Sequence, residues 1–262
     1  MDISGKAFFI TGAAQGIGRA YAEAVLNKGG NVFIADVNSA VGEKTTADIQ
    51  TKHGADRVRF GKLDIRDKDQ FSAVFKSAVT IFGQIDVMVN NAGIAHERHW
   101  EKTIAINFNG TVNGTYLAMD HMRKDKGGKG GVILCTNSIS GLSPSPPIPV
   151  YSGTKFAIKA FINCWAASRK NSAMGIRFAS LCPSATETPI NEFEPGQIVD
   201  EESLLAMHAE VGYLKVSDVA DAMIKLAEDE NSNGKAMFVT AGKEPFYISE
   251  ILDPPIWKYQ NL

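Results

Sequence analysis

The N-terminal segment combines two apolar runs, a glycine-rich turn and a helical stretch in an order that few folds accept. "FFITGAAQGIGRAYAEAVLNKGGNVFIAD" (8–36) reads as a strand, a turn with Gly12, Gly16 and Gly18, an amphipathic helix, and a second strand that ends in an acid. Glycines permit a tight turn and the close approach of an anion to the helix N-terminus, where free N–H groups and the helix dipole favour phosphate. We therefore predict a βαβ unit that binds the pyrophosphate of a dinucleotide; a turn that is merely tight is the alternative.

The acid that ends the second predicted strand, Asp36, indicates which dinucleotide is bound. It lies 18 residues after Gly18, where a carboxylate can accept hydrogen bonds from a ribose 2′-hydroxyl. A 2′-phosphate would meet a like charge there, and the next residue, Val37, offers no cation. NAD is therefore predicted over NADP; the alternative is that Asp36 is an ordinary solvated acid at a strand end.

The rest of the chain alternates short apolar runs with longer amphipathic segments. Parallel strands joined by crossover helices produce this alternation, and strands covered on both sides need no polar face. We predict an α/β fold: one doubly wound, Rossmann-type domain over residues 1–262, with a mainly parallel seven-stranded sheet flanked by helices. The predicted strands are 7–11, 31–36, 57–64, 85–91, 131–138, 176–183 and 236–240, and the predicted helices are 17–29, 40–52, 68–82, 100–123, 152–172 and 217–229.

Two segments interrupt this alternation. Residues 184–212 make a longer connection than a crossover needs, and long connections are often lids, so we predict a substrate lid there. Residues 243–262 form a C-terminal tail with four aromatic side chains, Phe246, Tyr247, Trp257 and Tyr259. These aromatic side chains could pack on their own domain or cover a pocket or a neighbouring subunit, and the sequence leaves both open.

Composition and charge exclude several classes of partner. With 262 residues, 44% of them hydrophobic, the chain can build a sizeable core. A formal net charge of −2 argues against nucleic acid or an anionic membrane surface as a partner, and no apolar run approaches the roughly 18 residues of a membrane span. Three widely spaced cysteines, Cys135, Cys164 and Cys182, fit a reducing compartment better than a disulfide framework. With no secretory signal visible, a soluble cytoplasmic protein is predicted.

The stretch "YSGTKFAIKAF" (151–161) places Tyr151 four residues before Lys155, so both side chains share one helix face. A phenol normally keeps its proton up to about pH 10. A cation about 5 Å away would favour the phenolate by roughly 3 kcal/mol at an effective dielectric near 20, and Lys155 and oxidised nicotinamide could each supply such a charge. Tyr151 is then a candidate general base, although the pair alone also fits an ordinary solvated helix face.

Five motifs occur together in the order and spacing of one enzyme family. They are "TGAAQGIG" (11–18), "NNAG" (90–93), Asn107 in "INFNG", Ser138 in "TNSISG", and "YSGTK" (151–155). On these motifs the chain resembles the short-chain dehydrogenase/reductases over about residues 6–240. Within that family "TGAAQGIGRAYAEA", "HWEKTIAINF" and "GTYLAMDHM" are most similar to the NAD-dependent 15-hydroxyprostaglandin dehydrogenase type, mainly in the N-terminal half, and the tail is similar to that of insect alcohol dehydrogenase relatives.

The resemblance implies a role for each matching residue. Tyr151 would be the general base in alcohol oxidation, Lys155 its electrostatic partner and a ligand of the nicotinamide ribose, and Ser138 the donor that orients the substrate oxygen. Asn107 would hold a water that links Lys155 to solvent, and Asp64 would contact adenine. The expected cofactor-binding residues are Gly12, Gln15, Gly16, Ile17, Gly18, Asp36, Val37, Asp64, Ile65, Asn91, Ala92, Gly93, Tyr151, Lys155, Pro183, Ser184, Thr186 and Thr188, and the expected substrate contacts are Ser138, Ile148 and Tyr151.

Two positions depart from the family pattern. Where the family reads PG followed by a threonine, "PSATET" (183–188) keeps the proline and the threonine but has Ser184 in place of glycine. Ile148 stands where the prostaglandin-type enzymes have a polar side chain expected to contact substrate, and loss of that hydrogen bond would relax discrimination among oxygenated substrates. The acids of 184–212 do not favour a carboxylate substrate. An apolar or amphipathic secondary alcohol, whether lipid-derived, isoprenoid or simple, is therefore predicted.

These observations predict an NAD-dependent dehydrogenase that oxidises a secondary alcohol to a carbonyl by hydride transfer. An NADH-dependent carbonyl reductase would use the same groups, and a non-catalytic dinucleotide-binding sensor is a third hypothesis, against which the intact Ser138, Tyr151 and Lys155 argue. No metal is predicted, because His96 and His99 in "HERH" have no further ligand cluster beside them. In the family the helix matching 152–172 and the preceding helix build subunit contacts, so a homodimer or homotetramer is expected.

Overall fold

The apolar runs become neighbouring strands in the computed structural model, which describes residues 1–248. The strands are β1 (Ala7–Thr11), β2 (Asn31–Asp36), β3 (Val58–Lys62), β4 (Val87–Asn90), β5 (Gly131–Thr136), β6 (Ile176–Pro183), β7 (Ala236–Val239) and β8 (Phe246–Ile248). They form one sheet in the order β3-β2-β1-β4-β5-β6-β7-β8. The first seven strands are parallel, and β8 is antiparallel to β7. This order confirms the doubly wound α/β prediction, with the reversal of strand order falling between β1 and β4.

The sheet formed by the described residues has eight strands, one more than the seven predicted, and the additional strand is β8. The chain turns at Gly242, which has a φ of 71°, and returns along β7 with Phe238 opposite Phe246. The two rings stack edge to face at 5.4 Å between centroids, and the Tyr247 hydroxyl donates to the Asp229 carboxylate. These first tail aromatics therefore pack on their own domain, while Trp257 and Tyr259 lie outside the described residues.

Helices cover both faces of the sheet. They are α1 (Gly16–Asn27), α2 (Ser39–His53), α3 (Lys68–Phe82), α4 (Trp100–Ile104), α5 (Thr111–Met122), α6 (Pro149–Ala166), α7 (Asn171–Met174), α8 (Glu201–Val211) and α9 (Val216–Glu228). Short 3₁₀ turns occur at Ala55–Arg57, Lys124–Lys126, Ile139–Gly141 and Pro189–Asn191. No helix among residues 1–248 is both long enough and apolar enough to cross a membrane.

Two predicted helices differ in detail. The segment predicted as one helix over 100–123 is interrupted between α4 and α5 by a π-helical stretch, Ala105–Gly110. The helix predicted over 152–172 begins three residues earlier, at Pro149, because proline fits the first helical position, where its missing N–H is not needed. It ends at Ala166, and α7 follows separately.

Alternating strand residues supply two apolar layers. Phe8 and Ile10 of β1 face a layer shared with α1 and α9, which includes Val25 and Val219. The intervening Phe9 faces the other layer, shared with α3, α5 and α6, where its ring stacks on Phe33 at 5.3 Å between centroids. Burial on both faces explains why β1 and β4 are apolar up to their last residues, Thr11 and Asn90. Polar residues stand at the carboxyl ends of these parallel strands, and those ends lie along one edge of the sheet.

Candidate active site

A cavity of about 520 Å³ lies at the carboxyl ends of the parallel strands. In an open α/β sheet this edge, beside the reversal of strand order, is where ligands bind. Every residue predicted to bind the cofactor lines this cavity, and so do the predicted substrate contacts: Gly12, Gln15, Gly16, Ile17, Gly18, Asp36, Val37, Asp64, Ile65, Asn91, Ala92, Gly93, Ser138, Ile148, Tyr151, Lys155, Pro183, Ser184, Thr186 and Thr188. Of the predicted residues only Asn107 stands behind the wall, 1% exposed.

The glycine-rich turn forms the floor of the cavity at the N-terminus of α1. Gly12 and Gly16 have φ angles of 63° and 56°, in the left-handed region that favours glycine. A Cβ on Gly18 would come within 2.3 Å of the Gly12 carbonyl oxygen. Gln15, at the N-cap, makes no side-chain cap bond, and the first turn of α1 has no acid. Uncapped N–H groups without a neighbouring anion suit a pyrophosphate.

A buried network holds this turn against β4 and β5. The Asn91 side chain donates from Nδ2 to the carbonyl oxygens of Thr11 and Gly12, at 3.0 and 3.1 Å. Its Oδ1 accepts from the Thr136 hydroxyl at 3.0 Å, and the Tyr21 hydroxyl lies 3.3 Å from that same Thr136 oxygen. Complete burial raises the pKa of Tyr21 far above its ordinary value, so this phenol is a neutral structural group. Neither Tyr21 nor Thr136 was among the predicted site residues.

Two carboxylates mark the far end of the cavity. Asp36 accepts from Ala14 N through Oδ2 at 3.1 Å and from Asn38 N through Oδ1 at 3.0 Å. Asp64 is paired with Arg66 at 2.5 Å, and hydrogen bonding from that guanidinium lowers the pKa of Asp64. Arg66 also lines the cavity, and the sequence interpretation had overlooked it. Its charge is engaged by Asp64, and Arg19 of α1 is paired with Glu23 at 3.0 Å. Lys102 also lines the cavity and acts on Asp64 through its charge, and the sequence interpretation had not named it.

Two buried polar atoms in the cavity wall have no hydrogen-bond partner among the described residues. They are Oγ of Ser184 and Nδ2 of Asn137. Ser184 replaces the family glycine, yet its backbone is well placed, since its N–H donates to Val239 O at 2.8 Å. A buried group without a partner costs free energy. An amide-bearing ligand at this end of the cavity would supply the missing partners, so the wall fits a nicotinamide.

Tyr151, Lys155 and Ser138 meet where α6 passes the end of β5. Lys155 is 4% exposed, its Nζ donates to Thr136 O at 2.8 Å, and it lies 5.4 Å from the centroid of the Tyr151 ring. Ser138 Oγ accepts from Ser140 N at 3.1 Å, which leaves its proton available. The structure therefore brings a phenol, a buried ammonium and a hydroxyl to one cavity, as the spacing predicted.

Asn107 occupies the π-helical stretch and binds the loop after β4. Its Oδ1 accepts from Ile94 N and its Nδ2 donates to Ile94 O, both at 2.9 Å. Nδ2 also lies 3.2 Å from the Thr154 hydroxyl on α6. The side chain thus ties the loop that carries Gly93 to the helix that carries Lys155. Its role in holding a water, which the family resemblance implies, stays a prediction.

The wall beside Tyr151 is mostly apolar, and part of it comes from residues 184–212. Ala95, Ile148, Ile198 and Leu204 form a small buried cluster, against which Tyr151 and Phe193 pack. Ile190, Met207 and Val211 extend this apolar lining. One titratable group of α8, His208, also faces the cavity, and burial lowers the pKa of its imidazole. The end of the cavity beside Tyr151 is therefore suited to an apolar ligand.

One acid beside Tyr151 was not anticipated from the sequence. Glu97 accepts from the backbone N–H groups of Val150 and Tyr151, at 2.8 and 3.0 Å. The sequence interpretation weighed only the histidines on either side of it. No local pattern signals this contact, because the partners are 53 and 54 residues apart. Among residues 1–248 no group of three or more potential ligands could hold a metal ion.

Comparisons with known proteins agree with this geometry. A sequence model described as short chain dehydrogenase matches residues 6–197. The chain is 37% identical to 15-hydroxyprostaglandin dehydrogenase [NAD(+)] of Mus musculus, covering 93% of each chain, and 36% identical to the Homo sapiens enzyme of that name, covering 93% of this chain and 94% of the other. From the motifs we expected the closer similarity mainly in the N-terminal half. The comparison shows instead that it spans 93% of the chain.

Solved structures show the same architecture. A 3-ketoacyl-(acyl-carrier-protein) reductase from Brucella melitensis, complexed with NADH, superposes with a TM-score of 0.76 at 26% identity, covering 92% of this chain and 99% of that one. A dehydrogenase/reductase from Sinorhizobium meliloti 1021 gives a TM-score of 0.77 at 25% identity, with coverage of 91% and 95%.

Proposed function

Because this chain belongs to the short-chain dehydrogenase family, we propose that it oxidises a secondary alcohol to a carbonyl with NAD, using Tyr151 as the general base. The observation that carries the proposal is the position of the Tyr151–Lys155 pair, which faces the same cavity as the glycine turn and Asp36. A cavity that could hold a dinucleotide, with a phenol and a lysine side chain in its wall, has the parts that hydride transfer from an alcohol requires.

The fit of the cavity supports NAD as the cofactor. Uncapped N–H groups of α1 would hold the pyrophosphate, Asp36 the adenosine ribose, and Ser184 and Asn137 the amide end. Asp64, which lines the same cavity, would contact adenine. When bound, NAD supplies the acceptor for the hydride and a positive ring close to the phenol. The relatives at 36–37% identity carry NAD(+) in their names.

The side chains around Tyr151 define how the proton would move. Ser138, whose Oγ already accepts from Ser140 N, would donate to the substrate oxygen and hold it against the phenol. Tyr151 would take the hydroxyl proton as the carbinol carbon gives up its hydride. The buried Lys155 side chain lies beside the phenol, 5.4 Å from the centroid of its ring, where its charge would act on the proton transfer. Asn107 would keep the loop at Gly93 in place and, as the resemblance implies, hold a water on the path from Lys155 to solvent.

The apolar lining supports an apolar or amphipathic substrate. Ile148 is 5% exposed and lies in the same cluster as Tyr151 and Phe193, so the position expected to contact substrate offers no hydrogen bond. A lipid-derived, isoprenoid or simple secondary alcohol fits such a wall. Discrimination among oxygenated groups would be weak at this position, because Ile148 has no polar side-chain group that a wrong substrate would leave unpaired.

The same residues could reduce a carbonyl with NADH. Similarity to a 3-oxoacyl-[acyl-carrier-protein] reductase of Thermotoga maritima, at 29% identity over 88% of this chain, favours keeping this second direction in view. The chemistry is that of the oxidation run backwards, with Tyr151 as the acid. Relative turnover of matched alcohol and ketone pairs distinguishes the two directions.

The test is NADH formation from NAD by the purified protein, with a panel of simple, isoprenoid, steroid and prostaglandin alcohols. Replacing Tyr151 with Phe should lower turnover by about 10²–10⁴-fold, the range for a general acid or base, and leave NADH binding intact. Tyr116→Phe, a change at a half-exposed tyrosine of α5, is the matched control and should retain activity. Full activity of Tyr151→Phe would refute the mechanism.

If the wild-type protein turns over none of these alcohols or ketones but still binds NADH, the sensor hypothesis is favoured.

We also propose a homodimer or homotetramer, supported by an aromatic cluster on α5 and α6. Tyr116 is 48% exposed and lies against Phe161 and Trp165, at 6.2 and 5.7 Å between ring centroids. Light scattering that gave a monomer across the working concentration range would contradict this assembly.

A further inference from the structure

The helix that carries Tyr151 has no cap of its own at its N-terminus. Ile148 occupies the N-cap position of α6 and makes no side-chain cap bond, and the first turn contains no acid. Proline at 149 has no N–H, and the N–H of Ser152 is bonded to Ile148 O at 2.9 Å. The N–H groups of Val150 and Tyr151 therefore remain to be satisfied, since buried or half-buried helix ends need partners.

Glu97 supplies both missing partners from a distant loop. Oε2 accepts from Val150 N at 2.8 Å, and Oε1 accepts from Tyr151 N at 3.0 Å. A carboxylate bonded to backbone N–H groups makes charge-assisted bonds, and its charge lies at the positive end of the helix dipole. The backbone of the proposed catalytic residue is thus held by one side chain of the loop after β4.

The same loop is bonded to the segment 184–212. Glu97 N donates to Gln197 O at 2.8 Å, and Gln197 Nε2 donates to Ala95 O at 2.6 Å. Two residues further, Val199 N donates to Pro147 O, just before α6, at 3.1 Å. The loop, the start of α6 and the lid segment therefore share one hydrogen-bonded junction, with Glu97 at its centre.

An apolar cluster beneath this junction reaches the phenol itself. Ala95 from the loop, Ile148 from the start of α6, and Ile198 and Leu204 from the lid segment are buried together, and Tyr151 packs against them. Each of the three segments thus contributes both a polar bond and an apolar contact. A shift of any one would move the others, because such packed contacts do not deform freely.

We propose that Glu97 is a positioning residue, which fixes the first turn of α6 and the lid segment so that Tyr151 meets the substrate oxygen at a constant place. This inference rests on the proposed function. Glu97 makes no contact with the reacting atoms and acts through the backbone N–H of Tyr151. Catalytic steps depend strongly on such placement, since small displacements of a reacting group cost large factors in rate.

The test compares Glu97→Gln, Glu97→Asp and Glu97→Ala with Glu101→Gln, which removes the same charge from an exposed acid in the first turn of α4. Glu97→Ala removes the charge-assisted bond to Tyr151 N. We expect this loss to lower kcat about tenfold to 100-fold, because a small displacement of the reacting group costs factors of this size in rate. The KM for NAD should change less than about twofold, because the cofactor wall is built by other residues. Glu101→Gln should match the wild type, and Glu97→Gln, which keeps one acceptor, should retain more activity than Glu97→Ala.

Backbone amide exchange of Val150 and Tyr151, followed by NMR in the full-length protein, gives a readout that needs no substrate. Faster exchange at both amides in Glu97→Ala, with the rest of α6 unchanged, is the expected result, and Glu97→Gln should show a smaller increase. Unchanged exchange in Glu97→Ala, or faster exchange with a wild-type kcat, would overturn the positioning role. If the wild type turns over no substrate, the proposed function fails. The exchange rates of the Val150 and Tyr151 amides would still show whether Glu97 holds the first turn of α6.

Discussion

The Asp36 carboxylate makes two backbone contacts and also faces the expected position of a ribose. Its oxygens accept from Ala14 N and Asn38 N, so the acid fixes the glycine turn as well as the end of β2. Val37 beside it is 61% exposed and offers no cation. We therefore expect selectivity for NAD to depend on the negative charge of Asp36. Asparagine removes this charge and keeps the size of the side chain.

Asp36→Asn should lower kcat/KM for NAD by about tenfold to 100-fold, because hydrogen bonds to a charged group are worth about 1.5–3 kcal/mol. The preference over NADP should shrink, since the 2′-phosphate no longer meets a like charge. Steady-state kinetics with both cofactors measure this, with Asp56→Asn, an exposed acid in the 3₁₀ turn before β3, as the control. An unchanged NAD to NADP ratio would contradict the assignment of Asp36.

Residues with a local signal were predictable, and residues with distant partners were not. The glycine turn, Asp36 and the Tyr151–Lys155 pair each belong to a pattern that can be recognised within a few residues of sequence. Glu97 and Tyr21 do not, because their partners are 53 or more residues away. Arg66 could have been found from its closeness to Asp64, since a cation two residues from an expected ligand is a natural ion-pair partner.

At the scale of single elements, the seven parallel strands were predicted because most of them are apolar runs between turn residues. β8 was missed, since three residues in an aromatic tail give no periodic signal. The π-helical stretch around Asn107 was missed as well, because its cause lies in tertiary contacts such as those of Asn107 with Ile94. The start of α6 at Pro149 was obscured by the prolines before it.

Two glycines in helices should respond oppositely to alanine. A Cβ at Gly18 in α1 would lie 2.3 Å from Gly12 O and 2.6 Å from Asn91 Nδ2, whereas Gly153 in α6 has open space around it. Gly18→Ala should destabilise the fold by about 1–3 kcal/mol through overpacking and weaken NADH binding. Gly153→Ala should stabilise it by about 0.5–1 kcal/mol, the helix preference for alanine. Urea unfolding and NADH titration measure both, and a loss at Gly153 would indicate that a partner covers that face.

At the scale of the whole molecule, His121 links stability to pH. Its Nε2 accepts from Ile85 N at 3.1 Å, and its ring packs edge-on against Phe75. Burial lowers the pKa of His121 below its ordinary value of 6.5, with Asp86 acting weakly in the opposite sense. The contribution to stability is therefore complete above pH 6.5 and is lost as the pH falls through the lowered value.

The free energy of unfolding should thus fall between about pH 7.5 and about pH 5.5, on either side of the ordinary histidine value. His121→Gln should be less stable at the higher pH and should lose less on acidification. Urea denaturation at the two pH values measures the difference, with His53→Gln, at the partly exposed end of α2, as the control. An equal loss in His121→Gln and in the wild type would show that other groups carry the acid sensitivity.

The strand order has a consequence for synthesis on the ribosome. Because β3, β2, β1 and β4 are neighbours, the first 91 residues contain every strand of one contiguous half-sheet. That half already holds the glycine turn, Asp36 and Asn91, so most of the cofactor wall emerges long before the helix that carries Tyr151. Until β5 arrives, however, β4, with its apolar run Val87, Met88 and Val89, is an open edge. An unfinished chain is most exposed to wrong pairing with another nascent chain at that edge.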